Sequence, residues 1–238
     1  MRPRDLRTPC ARPLFRGKMR QAHAVTAARR EHPVGSMKQT TLDHLLVRIR
    51  ACRTCAARLP LGPRPILQAG PDARMLIVGQ APGRKAHGSG IPWDDASGER
   101  LRAWLGIDAG CFYDPERVAI VPVGFCYPGR GTGGDRPPRP ECAPQWFAAL
   151  RAQLPRIELT LTIGQYAQRL VLGTSRKSNL TRTVRAWRDC GPQLLPLPHP
   201  SPRNTPWLRQ QPWFAADLLP ELRARVQTLF ATTADEPV

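Results

Sequence analysis

Four short apolar runs constrain this chain more than any other feature: Met75-Leu76-Ile77-Val78, Val118-Ala119-Ile120-Val121, Leu159-Thr160-Leu161-Thr162-Ile163 and Leu194-Leu195-Pro196-Leu197. Each is bounded by Gly or Pro on at least one side, and helical patterns separate them around residues 98–105, 143–154 and 165–172, with another over 213–230. Short apolar runs of this length read as strands, and strands that alternate with helices form a mostly parallel sheet covered on both faces. The expected fold is a three-layer α/β/α sandwich around a central, mostly parallel four-stranded sheet. Ligands bind such sheets beyond the carboxyl ends of the strands. Four segments fall there: Gly79 to Gly83, Gly124 to Gly134, Gly164-Gln165 and Pro198 to Asn204. The Gly/Pro/Arg-rich stretch Pro128 to Pro140 reads as a surface loop.

With 238 residues, of which 41% are hydrophobic, the chain suffices for one sizeable core. The expected domain spans 37–230, between a disordered basic extension over 1–36 and a disordered tail over 231–238. Met37 directly precedes a helical pattern at Leu42, Leu45, Leu46 and Ile49, so the upstream segment also reads as an over-extended gene model. Its Arg-rich, acid-poor composition is equally that of an organelle transit peptide. The net charge is +18, and residues 1–36 hold nine cations and two acids, so the rest is strongly basic by itself. Such charge favours a polyanion, with DNA the first candidate, through counterion release. The plain alternative is an Arg-rich genome. No apolar run approaches the roughly 18–20 residues of a membrane span, and no signal-peptide core is present. The expectation is a monomer with no membrane partner, in the cytoplasm at the bacterial nucleoid unless the basic leader directs it to an organelle.

Seven cysteines in a chain of this kind argue for metal or reactive thiols over a disulfide framework. Cys52-Arg53-Thr54-Cys55 is a C-x2-C pair before the first strand, while Cys126 and Cys142 flank the Gly/Pro-rich loop. Four such thiolates suit a tetrahedral zinc ion or an iron–sulfur cluster, although a short C-x2-C is also compatible with redox chemistry or accident. Cys10, Cys111 and Cys190 lack partners at ligand spacing and read as incidental or core thiols. Val78-Gly79-Gln80-Ala81-Pro82-Gly83 is a turn that brings main-chain N–H groups near a ligand, or else an ordinary strand-to-helix connection. It is neither a phosphate-binding Walker loop nor a strong dinucleotide fingerprint. His199 stands between Pro198 and Pro200, which stiffen the backbone around it. A fixed imidazole suits hydrogen bonding to developing negative charge, while a lone His otherwise caps or decorates a surface.

The Gly-x-x-Pro-Gly motif after the first strand and His199-Pro200-Ser201-Pro202 after the fourth resemble, in order, the two signature motifs of the uracil-DNA glycosylase superfamily. Within it the chain is most similar to the iron–sulfur families four and five, whose cysteine placement Cys52, Cys55, Cys126 and Cys142 match. The resemblance covers roughly residues 40–228. It implies a DNA-repair hydrolase that flips a nucleotide out of the stack and cleaves the base–deoxyribose bond without a covalent intermediate. By it, the four cysteines hold a [4Fe–4S] cluster, with zinc the alternative.

The same resemblance assigns His199 to the carbonyl oxygen of the departing base and the loop Pro200, Ser201, Pro202 and Arg203 to the minor groove. Arg203 occupies a place where relatives carry an apolar wedge, and suits gap filling or phosphate contact. The first motif contributes Gly79, Gln80, Ala81, Pro82 and Gly83. Ala81 replaces the water-activating Asp of the best-known branch. His87-Gly88 and Trp93-Asp94-Asp95-Ala96-Ser97-Gly98 resemble family five further, which implies Asp95 as the activating carboxylate, with Asp94 as substitute, and Trp93 as the stacking platform for the base. Asp95 or Ser97 also reads as a simple helix cap. Gln80, Asp95 and His199 thus form the expected catalytic set, with Gly79, Ala81, Pro82, Gly83, His87, Trp93 and Gly124 around the substrate. Pro122 stands where relatives carry an Asn that reads the pyrimidine edge, so selection passes to Gln80, the main chain of Val123-Gly124, or Gln165. The competing function is a catalytically silent iron–sulfur module that binds lesions or single-stranded DNA.

Overall fold

The computed structural model describes residues 41–231; the basic extension, Cys10, Met37 and most of the expected tail lie outside the described residues. Helix α1 (Thr41–Arg50) precedes strand β1 (Met75–Val78), helices α2 (Arg84–Ser89), α3 (Ala96–Leu105) and α4 (Ala109–Phe112), and strand β2 (Val118–Ile120). A hairpin of β3 (Arg130–Gly131) and β4 (Gly134–Asp135) follows, then α5 (Cys142–Ala152), β5 (Leu159–Ile163), α6 (Gly164–Leu172) and α7 (Leu180–Arg185). The chain closes with β6 (Leu194–Leu197), α8 (Thr205–Gln210) and α9 (Leu219–Ala231).

Four strands form one sheet in the order β2-β1-β5-β6, and every neighbouring pair is parallel. Alternation along each strand sends side chains to two separate cores. On one face Met75, Ile77, Val118, Ile120, Leu161 and Leu197 pack against α3, α4, α7 and α9. On the other, Leu76, Val78, Ala119 and Val121 meet α1, α5 and α6. The expected three-layer α/β/α sandwich is therefore the fold observed. The β2 edge is covered as well: Gln68 forms an antiparallel bridge with Ile120, and its Nε2 donates to the carbonyls of Phe112 and Val118 at 3.1 and 2.7 Å.

Two expectations need correction. The stretch Pro128 to Pro140 is not wholly a loop, because Arg130 pairs with Asp135 and Gly131 with Gly134 in a two-residue hairpin. The last helix is not a regular α-helix over 213–230, because a π-turn occupies Phe214–Leu218, with the Leu219 N–H bonded five residues back to the Phe214 carbonyl. Pro220 explains it: proline has no N–H for the carbonyl four residues earlier, and a wider turn hands that carbonyl to the next donor.

Leu161 is fully buried on the central strand β5. Leu161→Ala should lower the unfolding free energy by about 2–5 kcal/mol. In urea this appears as a lower midpoint with an unchanged slope.

Candidate active site

A cleft of about 500 Å³ opens at the carboxyl ends of the strands, within the size range of small-molecule sites. Its walls bring together Gly79, Gln80, Ala81, Pro82 and Gly83 after β1, Trp93 and Asp95 before α3, and His199, Ser201, Pro202 and Arg203 after β6. These segments are distant in sequence and meet because parallel strands end on one side of the sheet.

Trp93 is the one non-glycine residue with positive φ, at 58°, among the described residues. Such a backbone costs free energy in a bulky residue and persists only where neighbours hold it. The Tyr113 hydroxyl does so, donating to the Trp93 carbonyl at 3.3 Å while accepting from Arg102 Nη1 at 3.1 Å. Two glycines make room. A Cβ at Gly98 would lie 1.8 Å from the Trp93 carbonyl oxygen, and one at Gly79 would lie 3.0 Å from Cζ2 of the indole. The indole ring stands 5.3 Å from the His199 ring, centroid to centroid, at 35°.

Asp95 is the helix cap that one of the two readings expected. Its Oδ1 accepts from the Gly98 N–H at 2.9 Å and caps α3, while the residue also lines the cleft. Asp94 is exposed and lies outside the cleft wall.

His199 is held through its backbone and its ring. Asn204 Nδ2 donates to its carbonyl at 2.7 Å, the Asn204 N–H donates to Ser201 O at 2.9 Å, and Arg100 Nη1 reaches Ser201 O at 3.2 Å. The Ser201 N–H donates to His199 Nδ1 at 3.1 Å. A ring nitrogen that accepts carries no proton, so the neutral imidazole keeps its proton on Nε2. Burial pushes the His199 pKa below its ordinary value, against the pull of the Asp95 and Asp135 carboxylates. Asn204 adjoins the motif and was within reach of sequence reasoning. Arg100 was not, because its contact spans about a hundred residues.

Several expected site residues lie elsewhere. Gly124 borders the cysteine cavity and not the cleft; its N–H bonds to the Gln80 carbonyl at 3.0 Å, and a Cβ there would meet Pro138 at 2.9 Å. The Val123 N–H is likewise occupied, by Gly79 O at 2.9 Å, so neither amide is free to read a base. His87 sits behind the cleft wall on α2, 6.1 Å from the Tyr127 ring. Gln165 is exposed outside the cleft, and Pro200 is buried, leaving Pro202 and Arg203 as the exposed part of their loop. Arg203 reaches across to the hairpin, with Nη1 donating to the Gly133 carbonyl at 3.3 Å. Pro122 and Ile120 give the cleft an apolar floor. Gln80 and Asn204 are the two carboxamides in the wall, and Asn204 is committed to the loop.

Cys52, Cys55, Cys126 and Cys142 line a second, small cavity together with Phe125 and Trp146. Cys142 Sγ accepts from the Phe125 N–H at 3.3 Å. Burial pushes the Cys126 thiol up and that of Cys142 up to about 12, and burial with the nearby Glu141 raises Cys55. Thiolates in such a place require a compensating cation. The Cys52 thiol goes the other way: burial pushes it up, but Thr54 and the buried Trp146 indole N–H outweigh that and lower it, so the indole is already directed at sulfur. As the side chains stand, no group of three or more His, Cys, Asp or Glu residues among the described residues is arranged to hold a metal ion. The donor set nevertheless fits a four-thiolate group: the four sulfur-bearing residues share one cavity, and the Trp146 indole N–H is directed to one of them.

Gly98→Ala should destabilise the protein by about 1–3 kcal/mol or more, since backbone must shift to admit the methyl group. A lower melting temperature together with altered tryptophan emission checks this. A histidine with a lowered pKa in the folded state makes the unfolded chain the better proton binder as pH falls. Its stabilising contribution is therefore complete above the ordinary value of 6.5 and is lost below it, down through the folded pKa. Unfolding free energy measured against pH should fall less steeply below 6.5 in His199→Asn than in the parent protein.

One comparison bears on this geometry. The model of the uracil DNA glycosylase superfamily matches residues 67–223, from before β1 into α9, and so spans the sheet, the cleft and both motif loops. Members of that superfamily are generally DNA glycosylases, hydrolases of DNA repair. With the match covering well over half of its length, this chain belongs to the uracil DNA glycosylase superfamily.

Proposed function

We propose that this protein is a monofunctional DNA N-glycosylase that removes uracil or a related deaminated base and leaves an abasic site. The observation that carries the reading is the neutral His199, with Nδ1 fixed by the Ser201 N–H and Nε2–H left to donate, in the same cleft as Asp95 and Trp93.

Cleavage of the base–sugar bond sends an electron pair into the base and leaves an oxocarbenium-like sugar, so both charges need stabilisation. His199 Nε2–H donates to the carbonyl oxygen on which the negative charge collects. Because Nδ1 cannot take a proton without losing the Ser201 bond, the ring acts as a fixed electrophile. Asp95, whose Oδ1 is fixed by its helix cap, offers its other oxygen to orient water and oppose the positive sugar. The Trp93 indole supplies a face for the flipped base, worth about 1–3 kcal/mol of stacking. Gln80 is the side chain we assign to reading the base edge. Cys52, Cys55, Cys126 and Cys142 would hold a [4Fe–4S] cluster, which when bound ties the end of α1, the loop after β2 and the start of α5 into one unit.

A second reading has its own support: Ala81 and Pro122 both face the cleft and bring no polar side chain to it. On that reading the protein binds lesions or single strands without releasing a base.

Incubation with oligonucleotides carrying uracil, hypoxanthine or xanthine, followed by alkaline cleavage of abasic sites, separates the two. Base release supports the enzyme; salt-sensitive binding without release at enzyme excess supports the silent module. For the enzyme, His199→Ala should slow single-turnover release about 10²–10³-fold, as loss of an oxyanion donor does elsewhere. The parent protein should be brown and contain iron and sulfide, and Cys142→Ser should lose both, whereas a colourless protein with stoichiometric zinc would reassign the cysteines.

A further inference from the structure

The hairpin of β3 and β4 carries Asp135 to the wall of the cleft that His199 also lines. Its Oδ1 accepts from the hydroxyl of the buried Tyr127 at 3.3 Å. Its Oδ2 faces Gly83: a Cβ on that glycine would lie 3.7 Å from Asp135 Oδ2 and 3.7 Å from Asp95 Oδ2. The two carboxylates are thus matched. Each has Oδ1 spent on a fixed donor, the Tyr127 hydroxyl or the Gly98 N–H, and each turns Oδ2 to one shared space within twice that distance. Both also act electrostatically on His199. Two carboxylates that share one space can hold a water between them, as in glycoside hydrolysis by inversion.

We propose that Asp135 is a second catalytic carboxylate, which with Asp95 brackets the attacking water and the cationic sugar. The inference rests on the glycosylase reading above. In the step, the C1′–N bond breaks and its electron pair goes to the base, whose carbonyl oxygen is held by His199. The water oxygen bonds to C1′; one water proton passes to a carboxylate and on to solvent, the other stays on the new C1′ hydroxyl, and the released base takes its proton from solvent. Asp135 is exposed in the free protein, so its full electrostatic effect arises once DNA covers the cleft and excludes water. The Arg203 guanidinium, bonded to Gly133 O, joins the hairpin to the His199 loop. Tyr127 is a positioning residue for this carboxylate.

The test compares binding to two oligonucleotides, one with a cationic pyrrolidine abasic nucleotide and one with the neutral tetrahydrofuran analogue. The parent protein should prefer the cation, and Asp135→Asn should lose about tenfold or more of that preference, roughly 1.4 kcal/mol, with tetrahydrofuran affinity unchanged. Asp135→Ser should behave alike, and Tyr127→Phe should lose less. Equal weakening on both oligonucleotides, or an unaltered preference, would overturn the inference. Base release by the parent protein with a full rate in Asp135→Asn would overturn it while leaving the proposed reaction standing. No cation preference and no base release in the parent protein would overturn both.

Discussion

Parallel pairing of β1 with β2 on one side and β5 on the other is the constraint on which the cleft depends. It places the loops after these strands, and after β6, at one edge, whatever their separation along the chain. The pairing also continues past the strands: the amides of Val121, Val123 and Gly124 bond in turn to the carbonyls of Ile77, Gly79 and Gln80. The first motif is therefore not a loose turn. The Gly79 and Gln80 carbonyls are spent on the segment after β2, which fixes the direction in which the side chains there face.

Against that floor, the side chains we propose as catalytic are held by bonds that serve folding as well. Asp95 caps α3 through one oxygen and lines the cleft, so the helix start and the carboxylate position are set by one contact. His199 likewise donates nothing through Nδ1, yet the bond received there orders the Pro-rich loop and selects the tautomer. Trp93 needs a left-handed backbone, two glycines and the Tyr113 hydroxyl to stand over His199. Positional accuracy comes from ordinary caps and turns, at the cost of strain confined to one residue.

The strands were legible because apolar runs of four or five residues between Gly and Pro leave few alternatives, and those runs match β1, β2, β5 and β6 to within a residue. The two motif loops were legible because their residues are contiguous. What escaped was set by contacts across the chain. Gly124 follows the second strand as a substrate residue would, but packing under Pro138 turns it to the cysteines. Asp135 hid in a Gly/Pro/Arg stretch whose composition conceals a hairpin of two pairs. Arg100 bears no local mark of the loop it tethers. The π-turn was foreshadowed by Pro220, whose missing N–H is visible in sequence even though its remedy is not.

Gly124 has one consequence that concerns variation over time. Its N–H holds the Gln80 carbonyl of the cleft, and its other side borders the cavity of the four cysteines. A single peptide group is thus shared between the cysteine cavity and the candidate active-site cleft. Neither compartment can drift independently: a substitution that reshapes the cysteine cavity is felt at the Gln80 backbone, and a change at Gln80 is limited by what the cysteine cavity tolerates.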